Sequence, residues 1–94
     1  MKVRLSKAAI RDLMNVQKYI AADSPAAALS VVSTLEKSVI LISEKPLIGR
    51  PGQRTDTREW SVPGLPYVIP YRILDDTVEI VRIYHTARKR PLEW

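Results

Sequence analysis

The sequence contains no cysteine and no phenylalanine, and it has one histidine and three glycines. Without cysteine there is no disulfide scaffold, no thiol nucleophile and no thiolate metal site. That composition fits a reducing cytosol. A lone histidine, His85, with no second His or Cys is not a metal centre, so no metal or cofactor is expected. Without phenylalanine the core must be aliphatic, since the aromatic complement is two Trp and four Tyr. No apolar run approaches the length of a bilayer span. The opening "MKVRLSKAA" lacks the apolar stretch of a secretion signal. No membrane role is expected.

What is present is positive charge. The net charge is +5, with 15 Lys and Arg against 10 Asp and Glu. Such a domain suits nucleic acid or an acidic protein partner. Charge alone does not separate these from a surface that is merely rich in arginine. Ninety-four residues form one domain, residues 1–94, with no room for a second core.

"KVRL" alternates like a strand. Ser6 can cap a following helix, whose apolar face is predicted as Ile10, Leu13, Met14, Gln17 and Ile20. "ADSPAAA" breaks and restarts the chain, with Ser24 as N-cap and Pro25 at the first helical position. The second helix is predicted to reach Ile42 or Ser43, with a stripe of Leu29, Val32, Leu35, Val39 and Ile42. Pro46 ends it. "EKPLIGRPGQRTDT" reads as a loop. Strands follow at "REWSV", "PYVIPYRIL" and "TVEIVRIYHT", with Asp75 and Asp76 turning between the last two. Pro70 lies inside the middle run, where a missing ladder donor demands an edge position or a bulge. The order β-α-α-β-β-β predicts an α+β fold. An antiparallel helical hairpin packs on one face of a small, mainly antiparallel sheet.

With "DSPAAA" between the helices, "PLIGRPGQRTDTREW" after them, "LPYVIPYRI" in the middle strand and "VEIVRIYHTARKRP" at the end, the chain resembles the RelE/ParE superfamily of toxins from type II toxin–antitoxin modules. The resemblance implies a plasmid-stabilisation or addiction toxin held inactive by a cognate antitoxin in a hetero-oligomer. RelE-like members resemble ribonucleases that cut messenger RNA in the ribosomal A site. ParE-like members inhibit DNA gyrase and need no chemistry of their own.

Metal-free RNA cleavage needs a proton acceptor for the 2′-hydroxyl, cations for the charged intermediate and a donor for the leaving oxygen. Arg58 and Arg88 match basic positions of RelE-like nucleases. The arginine those nucleases carry after the first aromatic of the middle strand is replaced here by Val68. Their C-terminal tyrosine also has no counterpart, since Pro91 and Trp94 occupy that region. Losing one such cation costs roughly 2.7–4 kcal/mol of transition-state stabilisation. The nuclease candidates are therefore Arg58, His85 and Arg88, and the pattern favours the ParE-like branch. The favoured reading of His85 is nonetheless a half-buried strand-end residue bonding a backbone carbonyl.

On the binding branch the expected contacts are Arg50, Arg54, Arg58, Arg82, Arg88, Arg90 and Trp94. The partners expected are DNA gyrase and an antitoxin with an acidic segment, the alternative target being the ribosome with messenger RNA. Glu59 is expected to pair with Arg72 or Arg82, and Trp60 to serve core or interface. "GRPGQR" lacks the preceding strand and Lys-Ser/Thr ending of a P-loop, which excludes nucleotide binding there.

Overall fold

Ser6 ends one element and begins the next. In the computed structural model, which describes residues 1–87, its hydroxyl accepts the Ala9 N–H at 3.0 Å and donates to the Val81 carbonyl at 2.8 Å. The cap thus starts α1 (Lys7–Ala21) and ties it to the sheet, directly after β1 (Lys2–Leu5). Ser24 repeats the device for α2 (Pro25–Glu44), accepting from Ala27 at 3.1 Å with Pro25 in the first turn. The two helices pack as the expected hairpin. Beyond Pro46 come β2 (Arg50–Pro51), β3 (Thr57–Ser61), β4 (Tyr67–Leu74), β5 (Thr77–Ile80) and β6 (Tyr84–His85).

The sheet order is β1-β5-β4-β3-β2, with β6 continuing along β4 beyond β5. β1 runs parallel to β5 and every other pairing is antiparallel. The helical hairpin covers one face, as the α+β reading expected. Tyr67, Ile69 and Tyr71 of β4 join Val78, Ile80 and Ile83 beneath Ala9, Leu35 and Ile42 of the helices. The interior is almost wholly aliphatic, as the missing phenylalanine required.

The helix faces match the predicted ones in part. α1 turns Ala9, Leu13 and Val16 inward, whereas Ile10, Met14 and Gln17 are exposed. In α2 the predicted Leu35, Val39 and Ile42 face the core, joined by Ala28 and Ser38, and Leu29 is exposed. The misplaced positions arise because the pattern counted large apolar residues, whereas the small Ala9 and Ala28 take inward places and let the helices approach closely. A Met14→Gln variant should therefore melt within about 3 °C of wild type, as exposed substitutions shift stability by under about 0.5 kcal/mol. Leu13→Gln should melt far lower in the same thermal scan.

α2 also corrects the run-length reading. Its 20 residues, with a mean hydropathy of 1.5 over the best window, match a membrane span by length and composition alone. In this fold it carries much of the core.

Pro70 lies in the central strand, so of the two alternatives the bulge holds. Tyr71 pairs with Ile80 and Val68 with Tyr84. Between those pairs β4 has two residues and the opposing chain has three, so one is extra. Both Val81 and Arg82 N–H groups point at the Pro70 carbonyl, at 2.9 and 3.4 Å. In an antiparallel strand a residue's N–H and C=O face the same neighbour. The donor that Pro70 lacks would thus have faced the bulge, and the ladder to β3 is untouched. The bulge also splits the predicted last strand into β5 and β6. The predicted loop holds the two-residue strand β2, which the sequence reading did not anticipate. The tight turn at Asp75–Asp76 is as expected, with Asp75 in the left-handed region (φ 52°).

Candidate functional site

A cleft of about 910 Å³ runs from the β2–β3 turn across the exposed end of β4 to the start of α1. Arg54, Thr57, Arg58 and Arg72 line it with Glu79, and Leu47 forms part of its apolar rim. The turn that shapes one wall is held locally. Gly52 N–H donates to the Thr57 carbonyl at 2.8 Å, and the Thr57 hydroxyl donates to the Arg54 carbonyl at 2.6 Å. Asp56 sits at φ 62°, a left-handed conformation that Asp tolerates.

Register decides which cations meet which carboxylates. Glu59, only 3% exposed, lies opposite Arg50 and accepts from it at 3.2 Å. Arg50 also donates to the Ser61 hydroxyl at 2.7 Å. The expected pairing of Glu59 with Arg72 or Arg82 does not occur, because Pro70 is the β4 residue opposite Glu59. Arg72 instead faces Glu79 at 2.7 Å, and Glu79 also takes Arg4 at 3.1 Å. One carboxylate thereby links three adjacent strands.

Arg82, just past the bulge, turns to α1. It grips Asp12 with two nitrogens, at 2.7 and 2.9 Å, while the Ile83 N–H donates to the same carboxylate at 2.9 Å. The hydrogen bond to Asp12 raises the Arg82 pKa further above its ordinary value. A bidentate, partly buried pair of this kind is a structural bond, and it leaves Arg82 poorly placed as a target contact.

Arg58 is also engaged. Its position opposite Tyr71 puts it on the helix side of the sheet, where it donates to the Gly49 carbonyl at 2.7 Å. The Tyr71 hydroxyl donates to the Pro46 carbonyl at 2.6 Å and accepts the Gly49 N–H at 2.9 Å. Burial is the main cause that raises the Tyr71 pKa, opposed by the Gly49 N–H and the Arg58 charge. Gly49 is required here, since a Cβ would stand 2.6 Å from the Tyr71 hydroxyl.

His85 is half-buried at the end of β6, as the structural reading expected, with its ring edge-on to Tyr67 at 5.3 Å. Its bond differs from expectation. Nδ1 accepts the Ala87 N–H at 3.0 Å and does not donate to a carbonyl. Trp60 is half-buried, and its indole donates to Ser38 at 3.3 Å, consistent with a core role. Arg88, Arg90 and Trp94 lie outside the described residues.

Of the nuclease candidates, the two within the described residues, Arg58 and His85, do not come together. Arg58 pairs with Tyr71 and His85 with Tyr67, on opposite sides of β4. Four residues of strand separate them by roughly 13 Å along its axis alone. Val68 shares neither face, because its parity places it opposite Ser61 and Tyr84. Among the described residues no group of three His, Cys, Asp or Glu side chains is placed to hold a metal ion. The sequence reading missed Asp12 and Tyr71. Asp12 gave no signal in spacing, but Tyr71 shares parity with Ile69, and a buried tyrosine needs a partner for its hydroxyl.

The pattern of the family described as "ParE toxin of type II toxin-antitoxin system, parDE" matches residues 3–90. The chain belongs to the ParE toxin family. Within the wider RelE/ParE superfamily this ParE-family toxin is 39% identical over 90 residues to "Putative toxin Y4kP" of Sinorhizobium fredii, covering 96% of this chain and 93% of the relative. It is also 39% identical over 80 residues to toxin RelE2 of Caulobacter vibrioides, covering 85% and 89%. In fold it is similar to a chain of the chromosomal ParDE TA system from P. aeruginosa. The TM-score is 0.81 at 23% identity, with 90% and 95% of the two chains covered.

Proposed function

We propose that this toxin arrests growth by binding DNA gyrase, without chemistry of its own, and that a cognate antitoxin neutralises it in the cytoplasm. The observation that supports this reading is the separation of Arg58 from His85, the two nuclease candidates within the described residues. Arg58 is bonded to its own loop, His85 lies a strand's length away, and Val68 takes the place of a cation. A cleft lined by Arg54, Arg58 and Arg72 suits an acidic protein surface without any reacting group.

The antitoxin would bring an acidic segment to a chain of net charge +5 and cover apolar surface on the helical hairpin. Ile10, Met14 and Ile40 are exposed there. Beside them a groove of about 240 Å³ is lined by Leu5, Leu13, Leu35, Val39 and Ile83. Exposed apolar patches of this kind mark partner sites, and a hetero-oligomer follows.

Purified toxin should block supercoiling by gyrase while leaving ribosome-bound messenger RNA intact. The 39% identity to a toxin named RelE2 keeps the ribosome-dependent nuclease as the second reading. Cleaved messenger RNA on isolated ribosomes, with supercoiling unaffected, would decide for it.

A further inference from the structure

The segment leaving α2 is locked by side chains of β3 and β4. Tyr71, 0% exposed, takes the Pro46 carbonyl and the Gly49 N–H with one hydroxyl. Its cross-strand neighbour Arg58 takes the Gly49 carbonyl at 2.7 Å and lies 3.4 Å from that of Leu47. From the other face of the sheet Glu59 holds Arg50, and the Gln53 N–H approaches it at 3.4 Å. Two adjacent strands thus fix residues 46–53 from both sides.

That segment is a wall of the cleft, contributing Leu47 and Pro51 and leading into Arg54. A basic, glycine-containing connection of this length would ordinarily be mobile. Ordering it at the moment of binding would weaken any complex, and a wall already fixed avoids that loss. We propose that Tyr71 and Arg58 are positioning residues, which hold the 46–53 segment in the shape that lets the cleft grip the toxin's target. The inference rests on the cleft being the target surface and not on which target it is.

Tyr71→Phe is the clean probe, because the ring still fills the core and only the hydroxyl is lost. Arg58 lines the cleft itself, so its variants mix two effects. The control is Val78→Ala, which trims a fully buried β5 side chain that lines neither the cleft nor the helical groove and lowers the melting temperature at least comparably. Three readouts are needed on the full-length toxin: growth arrest titrated against toxin level, hydrogen exchange at the Gly49 amide, and affinity for the antitoxin.

Tyr71→Phe should speed Gly49 exchange and raise the toxin level needed for arrest about tenfold, with antitoxin affinity unchanged. Val78→Ala should do neither. Gly49→Ala, which pushes the lock open from the segment's side, should repeat the loss of potency and covers the case in which Tyr71→Phe does not fold. If either folded lock variant matches Val78→Ala in potency, the proposal is overturned. If wild-type toxin arrests growth but leaves gyrase supercoiling intact, the gyrase reading fails alone. The growth titration still scores the lock.

Discussion

Asp12→Ala is expected to lower the melting temperature by roughly 15 °C. The aspartate accepts three hydrogen bonds, two from Arg82 and one from the Ile83 N–H. Both side chains of the pair are mostly buried, at 22% and 14% exposed. Removing the carboxylate strands a guanidinium and a backbone donor together. Breaking such a pair from one side costs about 3 kcal/mol, and a domain of this size loses roughly 4–8 °C per kcal/mol. Arg82→Met should cost less, because Asp12 keeps the Ile83 N–H and can still reach water. Thermal unfolding followed by circular dichroism tests both. A fall below about 5 °C for Asp12→Ala would mean that solvent screens the pair and that α1 is held to the bulge by packing alone.

Leu35→Ala should remove a comparable amount, about 3 kcal/mol or slightly more. Leu35 is 1% exposed at the middle of α2 and belongs to the core cluster shared by both helices and the sheet. Its loss opens a cavity that rigid strands on one side cannot close. Native domains hold only about 5–15 kcal/mol in total, so the variant should sit near its folding limit. Urea unfolding should show a lower midpoint with an unchanged slope. Co-expressed antitoxin should recover soluble yield by mass action. An unchanged midpoint would contradict the placement of Leu35.

The element order was legible because caps and breakers are local. Ser6, Ser24, Pro25 and Pro46 each act on the next turn of backbone, and each acts as read. The α1 face was less legible because Ala9 matters for being small, a property that looks like nothing in a hydropathy pattern. Pro70 announced a defect in the ladder, and the fold supplies the bulge that accommodates it. The ion pairs could not be read. Glu59 and Arg72 both lie on the face away from the helices, but a two-residue offset in register sets Glu59 opposite Arg50 and Arg72 opposite Glu79. The candidate site suffered the same limit. Arg58 and His85 looked like members of one centre in sequence, and only their different partner strands and the spacing along β4 reveal them apart.

The parallel pairing of β1 with β5 has a consequence for how the molecule is made. Lys2 lies beside Thr77 and Leu5 beside Ile80, and among the described residues β5 is the one strand paired with β1. While the chain is being synthesised, the first strand has no edge to join until the hairpin of β4 and β5 has left the ribosome. The helices can form early from local contacts, but closure of the sheet waits on this long-range step, the slow kind in folding. Until then the cleft lacks Glu79 and Arg72 on its floor. The cleft is therefore completed only late in synthesis, after the C-terminal half of the chain has emerged.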